Sequence, residues 1–421
     1  MDKFVIEGGI KLNGKVEISG AKNASLALMP ATLLNNGVNV LTNTPEVNDV
    51  FTMIKLLNFL GVESEFSNHT LKLNTSNIST MEAPYEHVKK MRASVYVLGP
   101  LLSKYGYAKV SLPGGCAWGP RPINLHLESM KKLGAEIILE EGYIVAKAER
   151  LNGAKINFDI PSVGATGNVL MAASLAKGTT LITNAAVEPE ITQLAQYLTD
   201  MGAKISGTGT STMEIEGVDE LKSADCRTIP DRIEAGTLII AAAITKGKVE
   251  LGYGYHEHIA SILNKLEDSG LNFTITDEHI SIDAENLDAQ SVDVSTSTFP
   301  GFPTDMQAQW IAYMALANGT AKITDTIYHD RFNHVPELIR LGADISVVDN
   351  SAIVKGVAKL KGAKVMSTDL RASASLLLGG LAAEGKTEVL RIYHLDRGYQ
   401  RIEEKLKALG AKIDRVATEE F

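Results

Sequence analysis

Two series of glycines run in register along the whole chain. Gly37, Gly106, Gly178, Gly247, Gly319 and Gly385 recur every 66 to 72 residues, and Gly61, Gly134, Gly202, Gly270, Gly342 and Gly410 every 68 to 73. Self-similarity of this length marks a repeated supersecondary unit that buries its apolar face only against its neighbours. Six units of about 70 residues account for the 421-residue chain.

Each glycine follows a segment with a definite period. The first series closes helix-length apolar runs, among them NASLALMPATLLNNG, GNVLMAASLAKG, EAGTLIIAAAITKG and ASASLLLGGLAAEG. These are apolar on most faces, so each predicts a largely buried helix. A glycine just past such a run supplies a left-handed cap without a Cβ penalty. A β-rich segment follows every time: VNVLTN, YAKVSL, TTLITN, KVELGY, TAKITD, KTEVLR. Next comes an amphipathic helix such as ITQLAQYLTDMG, closed by the second glycine and then by one or two short strands. The unit therefore reads β-α-β-α-β-β. An open solenoid needs polar capping repeats, yet the last apolar helix, residues 372–384, is as apolar as the inner ones. Two closed groups of three units fit better. The expected domains are residues 21–229 and residues 230–421, the latter completed by the N-terminal strand within residues 1–20.

Composition narrows the functional classes. Lys plus Arg number 41 against 50 Asp plus Glu, a net charge of −9, with no basic run. Such a chain has no sequence-independent hold on nucleic acid or an anionic membrane. Its longest apolar stretches, residues 238–244 and 374–383, fall short of the roughly 20 residues of a membrane-spanning helix. The N-terminal residues alternate like a strand and lack the basic start and apolar core of a secretion signal. Two cysteines, Cys116 and Cys226, cannot build a disulfide framework and predict a reducing cytoplasm. There is no Walker loop, dinucleotide fingerprint, H-E-x-x-H or CxxC pair, so no metal, nicotinamide or flavin is expected.

Scaffold positions repeat, so residues that break the pattern are the candidates for chemistry. SLPGGCAWGPRPINLH, residues 111–126, is too rich in Gly and Pro for helix or strand and reads as a loop. A cysteine there beside Arg121 suits proton donation or nucleophilic chemistry; a buried small hydrophobe is the other reading of Cys116. Cys226, in the context ADCRT, reads as structural. GAKNAS, residues 20–25, opens the first buried helix, where free N–H groups and Lys22 would hold an anion unless the lysine is simply solvated. Arg92, Arg232 and Arg371 stand at matching places in other units, with Arg331 and Arg397 ahead of second helices. Five arginines at repeat junctions point to an anion cleft, or singly to surface ion pairs. In FPGFPTDMQAQW, residues 299–310, Asp305 enters a helix behind two prolines, as a helix cap or a general base.

Taken together, GAKNA, MRASVYVLGPLL, LPGGCAWGPRP, SVGATGN, PDRIEAGT, FPGFPTDMQAQ, RFNHVPEL, TDLRASASL and LDRGYQRIEEKLKALGA resemble the UDP-N-acetylglucosamine 1-carboxyvinyltransferase family of enolpyruvyl transferases, over the whole chain. The resemblance implies a fold of two inverse α/β barrel-like domains, each of three units. The sister family, the 5-enolpyruvylshikimate-3-phosphate synthases, shares that architecture but lacks the cysteine loop. The implied reaction moves the enolpyruvyl group of phosphoenolpyruvate to the 3′-hydroxyl of UDP-N-acetylglucosamine by addition and elimination. That is the first committed step of peptidoglycan precursor synthesis and the target of fosfomycin.

Carried over by motif, Cys116 is the general acid and the site of a covalent phosphoenolpyruvate adduct, and Asp305 deprotonates the sugar hydroxyl. Lys22, Arg121 and Arg397 hold phosphate and carboxylate, with Arg92, Arg331 and Arg371 nearby, and Asn23 touches sugar or intermediate. Arg121, Pro122, Ile123, Asn124 and Leu125, with Ser162, Val163, Gly164 and Ile327, line the nucleotide-sugar site. Trp118 stands where the family loop more often has a small aliphatic, and Asn124 where Asp is frequent. No cofactor is implied, and the partners are the two small-molecule substrates. The rival expectations are an enzyme of the shikimate type, or a sugar-nucleotide-binding paralogue without turnover.

Overall fold

The computed structural model describes residues 1–89, 91–112 and 123–420. They form two compact units, one from Gly20–Ile229 and the other from Met1–Ser19 with Pro230–Phe421. Each has its own hydrophobic core and, among the described residues, three four-stranded sheets.

All six sheets share one plan. A short edge strand runs parallel to the strand that follows the buried helix, a third strand pairs antiparallel to that one, and a fourth pairs antiparallel to the third. Strands occupy Val38–Thr42, Tyr107–Ser111, Thr179–Thr183, Lys248–Gly252, Thr320–Thr324 and Lys386–Leu390, the β-rich segment of every unit. They alternate buried and open positions, one face against the helices and the other toward water. The chain ends complete the pattern. Asp2–Glu7 lies between Lys386–Leu390 and Lys412–Ala417, pairing Phe4 with both Val389 and Arg415. Asn13–Glu17 is the parallel edge strand beside Lys248–Gly252. In the other unit Cys226–Arg227 returns to pair with residues 41 and 42.

The apolar runs form the helices at the centre of each unit: Lys22–Ala31, Leu98–Tyr105 and Val163–Ala173 in one, Arg232–Ile244, Gln307–Met314 and Leu370–Ala382 in the other. Ile233 to Ile244 are all buried, as periodicity without a polar face requires. Ten of the twelve repeat glycines have φ between 69° and 108°. Gly106 shows why: it caps Leu98–Tyr105 at φ 69°, and a Cβ there would stand 2.5 Å from the Ala148 carbonyl oxygen. At Gly247 the left-handed residue is instead Lys246, φ 54°. The run ASVYVLGPLL is not a single α-helix. Its first part, Arg92–Val97, is a 3₁₀ turn, and the α-helix begins at Leu98, which leaves Pro100 in the first turn where its missing N–H costs nothing. Among the described residues, no helix is long and apolar enough to cross a membrane.

Candidate active site

In the Gly20–Ile229 unit the expected binding residues that the structure describes lie at or beside the N-terminal ends of helices and 3₁₀ turns. Lys22 is the first residue of Lys22–Ala31. The chain approaches that helix through Gly20, where a Cβ would sit 1.7 Å from the Asn43 carbonyl oxygen, so only glycine fits. The Lys22 ammonium is 3.3 Å from the Asp49 carboxylate and its side chain is only 12% exposed, so it is not a solvated lysine. Asn23 beside it is exposed. Arg92 opens the 3₁₀ turn Arg92–Val97, which packs against the Lys22–Ala31 helix. Ile123 leads into the helix Asn124–Lys132, whose first two residues are Asn124 and Leu125. Ser162 caps Val163–Ala173, its hydroxyl accepting from the Ala165 N–H at 3.3 Å, and Val163 and Gly164 follow.

Buried polar contacts bring these ends together. Asn168 donates to His126 Nδ1 at 2.9 Å and to the Val95 carbonyl at 3.0 Å, and accepts from the Gly99 N–H at 2.9 Å. The Tyr96 hydroxyl reaches the Val163 carbonyl at 3.4 Å. His126 therefore ties the helix carrying Asn124 to the one carrying Gly164, and burial pushes its pKa down to about 4, so it is neutral. Sequence reasoning did not single out His126, Asn168 or Tyr96, although all three lie in or beside the motifs quoted above. Cys116, Trp118, Arg121 and Pro122 lie outside the described residues. Cys226 is free and half-buried; burial, with Asp200 adding, pushes its thiol up to about 11 and leaves it unreactive.

In the other unit three aspartates stand at the fronts of the three central helices. Asp231 caps Arg232–Ile244 through the N–H groups of Ile233 and Glu234 at 2.8 and 3.0 Å. Asp369 caps Leu370–Ala382 through those of Arg371 and Ala372 at 2.9 and 3.2 Å. Asp305 is different. It lies in the 3₁₀ turn Thr304–Met306, and neither that turn nor the helix Gln307–Met314 carries a side-chain cap. Its carboxylate instead takes Arg331 Nη1 at 3.0 Å on one oxygen and Arg371 Nη2 at 2.9 Å on the other. Both arginine side chains are under 10% exposed, whereas Asp305 is 28% exposed. Burial disfavours the Arg371 charge, but the Asp305 carboxylate, with Tyr399 and Asp231 adding, more than offsets this and holds the guanidinium above its ordinary value.

Asp325 braces this group. Fully buried, it accepts from Thr296 and Thr304 hydroxyls at 2.8 and 2.7 Å and from the N–H groups of Ile327 and Tyr328, both at 2.9 Å. Thr304 in turn accepts from Arg331 at 3.0 Å, so the position of Ile327 and the aim of Arg331 share one anchor. Arg397 ends the 3₁₀ turn Ile392–Arg397. Five of the expected residues, Asp305, Ile327, Arg331, Arg371 and Arg397, thus belong to this unit, and the first four form one connected cluster. A carboxylate gripped by two guanidiniums at a helix front is an electrostatic device for anions and for proton transfer. Among the described residues no three His, Cys, Asp or Glu side chains gather as a metal would require.

Known proteins resemble this chain from end to end. The family described as EPSP synthase (3-phosphoshikimate 1-carboxyvinyltransferase) matches residues 6–406. A UDP-N-acetylglucosamine 1-carboxyvinyltransferase of Chloroherpeton thalassium is 58% identical over 424 residues, covering 100% of this chain and 99% of that one. One of Chlorobium chlorochromatii is 55% identical over 424 residues and covers 100% of both chains. Among solved structures, the enolpyruvyl transferase NikO from Streptomyces tendae superposes with a TM-score of 0.90 at 26% identity, over 99% of each chain. EPSP synthase from Acinetobacter baumannii, at 18% identity and a TM-score of 0.76, shares the fold over 99% of this chain and 100% of its own. Identity above half along the full length, on a fold of six such units, means that the chain belongs to the UDP-N-acetylglucosamine 1-carboxyvinyltransferase family of enolpyruvyl transferases.

Proposed function

We propose that this protein transfers the enolpyruvyl group of phosphoenolpyruvate to the 3′-hydroxyl of UDP-N-acetylglucosamine, releasing phosphate, as the first committed step of peptidoglycan precursor synthesis in the cytoplasm. The observation that carries the reading is the Asp305 carboxylate diverted from helix capping onto Arg331 and Arg371, in a chain 58% identical to an enzyme of that name.

In the addition step C3 of phosphoenolpyruvate gains a proton while the sugar oxygen attacks C2 and loses its own proton, giving a tetrahedral ketal. In the elimination C3 loses a proton, the double bond re-forms and the C2–O bond to phosphate breaks. Cys116 is assigned as the acid toward C3 and Asp305 as the base toward the hydroxyl. Lys22, Arg121 and Arg397 are assigned to the phosphate and carboxylate, with Arg92, Arg331 and Arg371 beside them and Asn23 on the sugar or intermediate. Pro122, Ile123, Asn124, Leu125, Ser162, Val163, Gly164 and Ile327 are assigned to the nucleotide sugar, where the two helix N-termini favour anionic oxygens. The arginine pair fixes the Asp305 carboxylate for that role, one guanidinium on each oxygen.

Cysteine labelling tests the assignment. Mass spectrometry after incubation with phosphoenolpyruvate and nucleotide sugar, or with fosfomycin, is expected to find one modified cysteine, Cys116, with Cys226 untouched because its thiol stays protonated. Cys116→Ser is expected to abolish both modifications. Full modification of that variant, or labelling at Cys226, would refute the assignment.

A further inference from the structure

Beneath Asp305 lies a buried polar cluster built from two of the central helices of its unit and the segment just after Arg397. Thr237 comes from Arg232–Ile244, Gln309 from Gln307–Met314, and Tyr399 follows the turn that ends at Arg397. All three are at most 2% exposed and are packed into the hydrophobic core of the unit. The Tyr399 hydroxyl is 2.8 Å from Thr237 Oγ1, and Gln309 Nε2 stands 3.2 Å from both oxygens. Polar groups so deep cost free energy unless they are hydrogen-bonded, and these bonds fix the three side chains against one another, leaving only Gln309 Oε1 of the cluster without a partner among the described residues.

Two contacts lead from this cluster to the reacting group. Gln309 Nε2 donates to the Asp305 carbonyl oxygen at 2.9 Å, which pins the backbone of the 3₁₀ turn. The Tyr399 ring lies under the Arg371 guanidinium, 5.3 Å from its carbon to the ring centroid. Arg371 reaches Asp305 through Nη2, while its Nε is buried without a hydrogen-bond partner among the described residues. The orientation of the guanidinium therefore depends on the ring it rests on. Gly398 packs against Leu370, where a Cβ would come within 2.7 Å of its Cδ2, so the Arg397–Tyr399 segment is seated on the same helix that carries Arg371. Arg331 and Asp231 also face the pair.

We infer that Tyr399, Gln309 and Thr237 are positioning residues for the enolpyruvyl transfer, holding the Asp305 carboxylate and the Arg371 guanidinium in register. The inference rests on the assignment of Asp305 as the base. None of the three touches the reacting atoms; they act through Asp305 and Arg371.

Steady-state kinetics on Tyr399→Phe test it, with Asp305→Asn alongside. Removing the hydroxyl keeps the ring but frees it from Thr237 and Gln309. The expected outcome is a fall in kcat of about tenfold, with KM for both substrates within about twofold, because the loss falls on the transition state. Loosened Arg371 supports the ionised carboxylate less, so the acidic limb of the kcat–pH profile should move upward, by about half a unit. Thr237→Val, of similar shape, should shift both readouts in the same directions and stands in if Tyr399→Phe does not fold. Folded variants of both with unchanged kcat and an unchanged acidic limb, against an inactive Asp305→Asn, would overturn the positioning role and leave the base assignment intact. An active Asp305→Asn would overturn the base assignment and this inference with it.

Discussion

Asp231, Asp305 and Asp369 occupy the same place in three repeats, and two of them do what an aspartate at a helix front ordinarily does. Asp305 does not, because Thr304–Met306 is a 3₁₀ turn and two arginines claim the carboxylate. Departure from the repeat, rather than residue type, singles it out as the candidate base. Buried histidines give a second residue-scale consequence. His126 and His334, one in each unit, are held neutral: burial lowers His126 to about 4, and burial, reinforced by Arg331, lowers His334 to about 3. Both bind a proton in the unfolded chain near pH 6.5, so below that pH the unfolded state binds more protons than the folded one. Stability is intact above about pH 6.5 and falls as pH drops toward 4, by up to about 1.4 kcal/mol per pH unit for each histidine. Thermal midpoints of the protein measured from pH 7 to 4 should fall less steeply in His126→Gln than in the parent; equal slopes would show that His126 already takes up its proton in the folded state.

Among the elements, the glycine caps separate two costs that sequence cannot tell apart. Gly106 and Gly178 close equivalent segments with φ of 69° and 89°, so a Cβ is strained at either. At Gly178 the added atom meets nothing within 4 Å, whereas at Gly106 it meets the Ala148 carbonyl oxygen at 2.5 Å. Gly178→Ala should cost about 1 kcal/mol, and Gly106→Ala about 2 kcal/mol or more because the backbone must also shift. Urea unfolding of the two variants checks this, and equal losses would contradict it. The same contrast explains what was legible. Periodicity revealed the buried helices, the strand after each and the caps, because each repeats six times. It did not reveal the 3₁₀ turns Arg92–Val97, Thr304–Met306 and Ile392–Arg397, which follow no apolar period, nor edge strands as short as Glu82–Ala83 and Val294–Ser295. The candidate site was legible as residue names, since FPGFPTDMQAQW marks Asp305 and the arginines at repeat junctions include Arg331 and Arg371. Their union was not, since Asp305 lies 26 residues from one arginine and 66 from the other. Gln309, Thr237 and Tyr399 were hidden for a further reason: inside an apolar pattern, a buried polar side chain reads as an interruption of the core.

For the whole molecule, net charge and local charge answer different questions. A net charge of −9 gives no reason to expect a general hold on polyanions, yet the chain gathers Arg331 and Arg371 around one carboxylate and places Lys22 and two helix N-termini in the other unit. Such local arrangements suit small anions, and the two substrates proposed here are both anionic. The repeat architecture by itself serves several acceptors, as the shared fold with an EPSP synthase shows. The acceptor is therefore the central claim. The most direct measurement is phosphate released from phosphoenolpyruvate by the purified protein with UDP-N-acetylglucosamine or with shikimate 3-phosphate as acceptor. Release that requires the sugar nucleotide, one phosphate for each sugar nucleotide consumed, is the predicted result; release with shikimate 3-phosphate instead, or tight binding of the sugar nucleotide with no release, would contradict it.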